Sequence, residues 1–153
     1  MKVIMEFTKE ISNKLNELLI KNYDAEKGYN NAIENVDSNM LKMFFKRRST
    51  ERGEFAEELK NEILQYGETP KESGSATGTM HRNWMSLKAT FSTSNEEAIL
   101  EEAIRGEEAS LEDYKNLIQE RNLPPSIDSL LLKQKNAIQS AINSEKAKLE
   151  LVS

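Results

Sequence analysis

The sequence predicts an all-α fold, a bundle of four long amphipathic helices with one long crossover between the second and the third. Three observations predict it. Apolar residues return at three- and four-residue steps through four stretches of similar length, the period of a helix with one buried face. The composition favours helices, with 37% apolar and 31% charged residues but only 6 glycines and 3 prolines. The links are unequal, two of them tight and the middle one about 28 residues long, well beyond an ordinary helix-to-helix turn. A chain of 153 residues is enough for one domain with a sizeable core, so residues 1–153 are expected to form a single unit.

Helix one is expected from about Thr8 to Asn35, with apolar or small residues recurring at Ile11, Leu15, Leu18, Leu19, Asn22, Ala25, Tyr29, Ala32, Ile33 and Val36. Asp37, in "VDS", is the expected N-cap of helix two. That helix runs to about Tyr66, and its stripe reads Leu41, Phe44, Phe45, Arg48, Arg52, Phe55, Leu59 and Ile63. So short a link makes the first two helices antiparallel neighbours. Gly67 ends helix two, and "GETPKESGSATG" reads as loop. A short helix is expected over about 78–91, in "GTMHRNWMSLKATF", with Met80, Trp84, Leu87 and Phe91 on one side.

Ser94 and Glu97 have capping-box spacing, which predicts helix three from about Asn95 to Glu120. Its stripe is Ile99, Leu100, Ala103, Ile104, Leu111, Tyr114, Leu117 and Ile118. "NLPPS" breaks the pattern and supplies prolines to the first turn of helix four. The last helix runs to about Leu151 with Ile127, Leu130, Leu131, Gln134, Ile138, Ala141, Ile142, Leu149 and Val152 on its stripe. The long connector can travel the length of the bundle, so that helix three starts beside the start of helix two.

Charge and residue types exclude several function classes. A net charge of -5 and a pI near 5.1 leave no basic face for nucleic acid. The run Lys46, Arg47, Arg48 and Arg52 is interleaved with or followed by Glu51, Glu54, Glu57 and Glu58, a mixed helix face. With no cysteine, disulfides, thiolate metal sites and thiol catalysis are out of reach. No apolar run has the length of a signal peptide core or a membrane span, which predicts a soluble cytoplasmic protein with no membrane partner. No phosphate loop, dinucleotide fingerprint or nucleophile elbow occurs, and His81 is the sole histidine, so an enzyme with a hydrolytic triad is not expected.

The carrying stretches "LNELLIKNYDAEKGYNNAIENV", "ERGEFAEEL", "GSATGTMHRNWMSLKATF", "EEAILEEAIRGEEASLEDY" and "LPPSIDSLLLKQ" resemble a bacterial family of ferritin-like four-helix-bundle proteins catalogued as a domain of unknown function. The resemblance runs from about Phe7 to Leu149 and is most specific around His81, Arg82, Trp84, Leu87 and Lys88. It implies a ferritin-like fold and no particular activity.

Ferritin-like bundles that hold two irons use a Glu on each of two helices and a Glu-x-x-His on each of the others. This chain has no Glu-x-x-His. Inward carboxylates remain: Glu26 on helix one, Glu51 and Glu54 on helix two, Glu107 on helix three and Glu145 on helix four. Together they could form an oxygen-rich site suited to Mg, Mn or Ca, with Fe or Zn as further metals to test. The competing expectation is that Arg48 and Arg52, on the apolar line of helix two, neutralise those carboxylates directly. Pairing is favoured, since a buried carboxylate must be compensated and a guanidinium does so without a cofactor. The tyrosines are expected to pack in the core with hydrogen-bonded hydroxyls.

Trp84 is the expected anchor of the crossover helix, worth roughly 2 to 3 kcal/mol when mostly buried. His81, three residues earlier, is expected to hydrogen-bond a carboxylate or carbonyl of a long helix. The functional expectation is a non-enzymatic binding, scaffold or stress-associated bundle that forms a homo-oligomer such as a dimer and needs no cofactor. The alternative is a metal–carboxylate protein, a metal store or minimal oxidase.

Overall fold

Four long helices form where the apolar periodicity places them: α1 Lys2–Asn35, α2 Asn39–Gln65, α3 Glu96–Ile118 and α4 Pro125–Val152. They come from a computed structural model that describes residues 2–72, 95–120 and 123–152. The expected crossover helix over 78–91, with His81 and Trp84, lies outside the described residues.

The ends of the helices show the local chemistry that sets them. α1 begins at Lys2, earlier than the expected Thr8, because "KVIMEF" contains no glycine, proline or capping residue to stop a helix. α2 is capped by Ser38 and not by the expected Asp37. Ser38 has extended backbone (φ -66°, ψ 123°), and its hydroxyl accepts from the Leu41 N–H at 3.2 Å. The cap of α3 is Asn95, whose side chain accepts from Ala98 N–H at 3.1 Å; Ser94, the expected capping-box residue, lies outside the described residues. Pro125 takes the first position of α4, where a missing N–H costs nothing. α2 stops at Gly67, whose φ of +73° suits glycine. Its N–H reaches the Leu64 carbonyl, and the Glu68 N–H reaches that of Ile63.

Side-chain pairs give the directions of the helices. Along α1, Lys21, Asn22, Tyr29 and then Ser38 just beyond its end meet Asp113, Tyr114, Glu107 and Glu96 of α3, so α1 and α3 are antiparallel. α1 and α2 form an antiparallel hairpin, with Ser49 reaching Asn30 and Arg52 reaching Asn22. α2 and α4 also cross head to tail, through Gln134 at Phe55, Lys133 at Glu58 and Ser126 at Glu62. α2 and α3 therefore run in the same direction, and the Glu96 carboxylate accepts from the backbone N–H groups of Asp37 and Ser38 at 3.2 and 3.0 Å.

The core comes in two parts. One gathers Leu15, Leu19, Leu59, Ile63, Ile127 and Leu131 with their neighbours, and the other gathers Tyr29, Leu41, Phe45, Ile99 and Leu100. Between them each helix contributes buried polar groups: Asn22 from α1, Arg52 from α2, Glu107 from α3, and Gln134 and Glu145 from α4.

Candidate functional site

Arg52 is the largest fully buried side chain among the described residues, 2% exposed, and it lies on the inner line of α2 between Phe45 and Phe55. A guanidinium there must be satisfied completely. Its Nη2 donates to Glu107 Oε2 at 2.8 Å, and its Nη1 donates to Asn22 Oδ1 at 2.7 Å. Burial works against the charge of Arg52, but Glu107, Tyr114 and Tyr29 outweigh it and hold its pKa above the ordinary value.

The other Glu107 oxygen, Oε1, accepts from the Tyr29 hydroxyl at 2.5 Å. The same hydroxyl lies 3.1 Å from Glu145 Oε2. A phenol has one proton and cannot donate to both carboxyl groups. The chemistry resolves this at Glu145. Burial, then the charge of Glu107, raises its carboxyl well above the usual carboxylate range, while Tyr29, Arg48 and Arg52 pull the other way. A protonated Glu145 donates to Tyr29, and Tyr29 donates to Glu107. Burial also raises the Tyr29 phenol, followed by the charges of Glu107 and Glu145, so it keeps its proton.

On the other side of Arg52 the chain of bonds continues. Asn22 Nδ2 donates to the Tyr114 hydroxyl at 3.0 Å and to the Leu18 carbonyl at 2.9 Å. Tyr114, whose phenol burial pushes up to about 12, donates to Gln134 Oε1 at 2.5 Å. Gln134 Nε2 reaches the Phe55 carbonyl and Glu58 Oε1 at 3.3 and 3.2 Å, and Glu58 meets Lys133 at the surface at 2.7 Å. The polar layer thus runs from a buried acid on α4 to an exposed lysine on the same helix, through all four helices.

The five carboxylates expected from the sequence do not converge. Glu107 and Glu145 share Tyr29 in the core. Glu26, Glu51 and Glu54 line an open groove on the surface with Glu57, Glu58 and Lys133. Glu51 is held by Arg48 Nη1 at 2.5 Å. Glu26 lies over Gly53, where an added β-carbon would be 2.7 Å from its Oε2. Among the described residues no group of three or more His, Cys, Asp or Glu side chains is placed to hold an ion.

Of the two arginines, Arg52 takes the core position and Arg48 an intermediate one, its guanidinium 5.7 Å from the Phe44 ring centre. Asn22, Tyr29, Tyr114 and Gln134 are the members that carry no charge at neutral pH and so do not stand out as charges on an apolar line. Their signal is polarity on an otherwise apolar stripe, seven residues apart in the case of Asn22 and Tyr29.

Residues 10–120 match the family model described as a domain of unknown function, DUF2383. No curated protein matches the chain. Among solved structures, a C-terminal deletion mutant of Mycobacterium smegmatis Dps is similar in fold, with a TM-score of 0.73 over 91% of this chain and 97% of that one, at 14% identity. The all-helical bundle is ferritin-like, and among the described residues no helix is long and apolar enough to cross a membrane.

Proposed function

The chain belongs to the DUF2383 family, and from that premise we propose that it is a ferritin-like bundle whose core works without a metal, acting as a non-enzymatic binding or scaffold protein. One observation carries the reading: the Arg52 guanidinium stands against Glu107, at 2.8 Å, inside the core. A guanidinium does not lose its proton in a protein. A divalent ion drawn to Glu107 would have to displace that fixed positive charge and strand it in a dry interior. Burial and the charge of Glu107 raise the carboxyl of Glu145, the second core acid, above the usual carboxylate range, which works against the ionised form that a metal needs. The donor set therefore fits a closed ion-pair layer and does not fit a metal centre.

The same reading takes the chain as one domain and as a soluble, cytoplasmic protein that forms homo-oligomers. Met40 and Met43 on α2 and Leu151 on α4 support the last point, at 49%, 65% and 76% exposed.

The test is elemental analysis of protein purified without a histidine tag, followed by titration with Fe(II), Mn(II) and Zn(II). The expected result is no stoichiometric metal and no change in melting temperature. Metal bound in a fixed ratio to the chain and lost in Glu107→Ala would overturn the reading in favour of a metal–carboxylate protein.

A further inference from the structure

Among the described residues, two buried polar atoms at the α2–α4 side of the core have no hydrogen-bond partner: Arg48 Nε and Glu145 Oε1. Such atoms are few in folded proteins, and each calls for a physical reason. These two are complementary. The arginine nitrogen is a donor, and once Glu145 Oε2 carries the proton toward Tyr29, Oε1 is an acceptor. Beside them α2 and α4 leave a small open cleft lined by Arg48, Glu51, Ala137, Ser140, Ala141 and Ser144. The α4 residues of the cleft are all small, and Ala141 and Ser144 lie one turn and one residue before Glu145. Space for a guanidinium to move thus lies along the turn that carries the buried acid.

We propose that Arg48 is an arm with two positions: it pairs with Glu51 while Glu145 holds its proton, and it turns through the α2–α4 cleft to pair with Glu145 when that proton leaves.

Among the described residues, the charges facing Glu145 leave no other partner. From α1 comes the Tyr29 hydroxyl, which donates to Glu107. From α3 comes Glu107 itself, which repels a second carboxylate. From α2 come Arg52 and Arg48, and Arg52 is committed to Glu107 and Asn22. On α4, Lys148 lies over the Phe44 ring, 4.3 Å from its centre. Among the described residues the ion-pair partner of Arg48 is Glu51, in a partly exposed pair of side chains 17% and 28% accessible. Such a pair is weak and readily exchanged. The balance of the step is simple. The proton passes to water in the cleft, the negative charge on Glu145 is matched by the charge Arg48 brings, and Glu51 is left to water. Glu51 also lines the outer groove with Glu26 and Glu54, so the arm transmits the state of the core to the surface charge there.

The proposal rests on the metal-free reading of the core and fails separately from it. Carboxyl carbon NMR of glutamate-labelled protein follows the Glu145 titration, with Glu145→Gln identifying its signal. Arg48→Met is expected to raise the Glu145 midpoint by about one pH unit or more, the size of effect an adjacent opposite charge produces. Glu51→Gln, a change at a partly exposed side chain that leaves the core intact, is expected to lower it. Arg48→Lys should retain part of the effect. A midpoint unmoved in both Arg48→Met and Glu51→Gln overturns the arm, and Glu51→Gln alone decides if Arg48→Met fails to fold. Stoichiometric core metal would instead overturn the reading beneath it.

Discussion

Replacing Arg52 by Met removes the fixed charge of the core while keeping an unbranched side chain of similar reach. Arg52 and Glu107 are 2% and 1% exposed, so neither is rescued by solvent when the other is lost. The substitution leaves Glu107 Oε2 and Asn22 Oδ1 without their donors at 2.8 and 2.7 Å. Removing one partner of a buried ion pair costs about 3 to 5 kcal/mol, because the remaining charge is uncompensated. At about 2 to 4 °C per kcal/mol for a domain of this size, the melting temperature should fall by roughly 6 to 20 °C. Glu107→Gln should cost a comparable amount, since it strands the guanidinium. The double variant Arg52→Met/Glu107→Gln removes both charges and should be more stable than the sum of the two losses by about 2 kcal/mol or more. Equilibrium unfolding in urea near neutral pH, followed by far-UV circular dichroism, measures all three. A loss below about 1 kcal/mol for Arg52→Met is the behaviour of an exposed pair and would refute the buried layer. Additive losses in the double variant would refute the coupling.

Glu145→Gln tests the proton on the core acid. The folded carboxyl titrates above its ordinary value of 4.5, so between the two values the folded chain holds more protons than the unfolded one. Wild-type stability from this group is full below the unfolded value and is lost as pH rises through the folded one, at up to about 1.4 kcal/mol per pH unit. The variant should flatten that slope and exceed wild type at its upper end; an unchanged slope in urea unfolding across pH would exclude Glu145 as its source. Tyr29→Phe withdraws the hydroxyl from Glu107 and Glu145 and should cost about 1 to 3 kcal/mol in the same assay, with no loss if water replaces it. Ser38→Ala should cost about 1 kcal/mol by removing the α2 cap, and Asp37→Ala clearly less; the reverse order in thermal melts would return the cap to Asp37. Gly53→Ala should gain about 0.5 kcal/mol, because alanine favours the helix by about 1 kcal/mol and Glu26 yields with the flexible end of its side chain. A loss above about 1 kcal/mol would show that Glu26 is fixed there.

The bundle was legible because burial and helical period are the same signal. Ile11, Leu15, Leu18, Leu19, Asn22, Ala25, Tyr29 and Ala32 fall on one line of the sequence, and all are buried in α1. Arg52, Glu107 and Glu145 stood out for the same reason, as charges on apolar lines, and all three are in the core. Glu26, Glu51 and Glu54 did not separate from them, because a position at the edge of a helical stripe is inward by period and outward by a small rotation. Period cannot resolve that difference, whereas packing does: Glu26 turns out over Gly53, and Glu51 follows Arg48. The α2 cap differs from the expected one by one residue for a similar reason. Asp37 and Ser38 are both good caps, and the choice depends on Glu96, a residue of another helix that takes the N–H groups of both.

The charges of the polar layer also explain why its protons are placed as they are. Among the described residues, the acidic and basic side chains of this layer that are at most 2% exposed are one cation, Arg52, and two carboxyl groups, Glu107 and Glu145. A dry core must be close to neutral, so one cation allows one carboxylate and the other carboxyl must keep its proton. Which one keeps it follows from the bonds. Glu107 has a guanidinium and a phenol hydroxyl on its two oxygens, whereas Glu145 has only the distant side of that phenol, at 3.1 Å. The ionised form is better solvated at Glu107, and the proton falls to Glu145. Neutrality can be met in only one other way, by a second cation. Arg48 is the nearest candidate on α2, it is already partly desolvated, and its Nε is unpartnered. With either a proton or an arginine able to make the core neutral, the position of Arg48 reports which of the two is present.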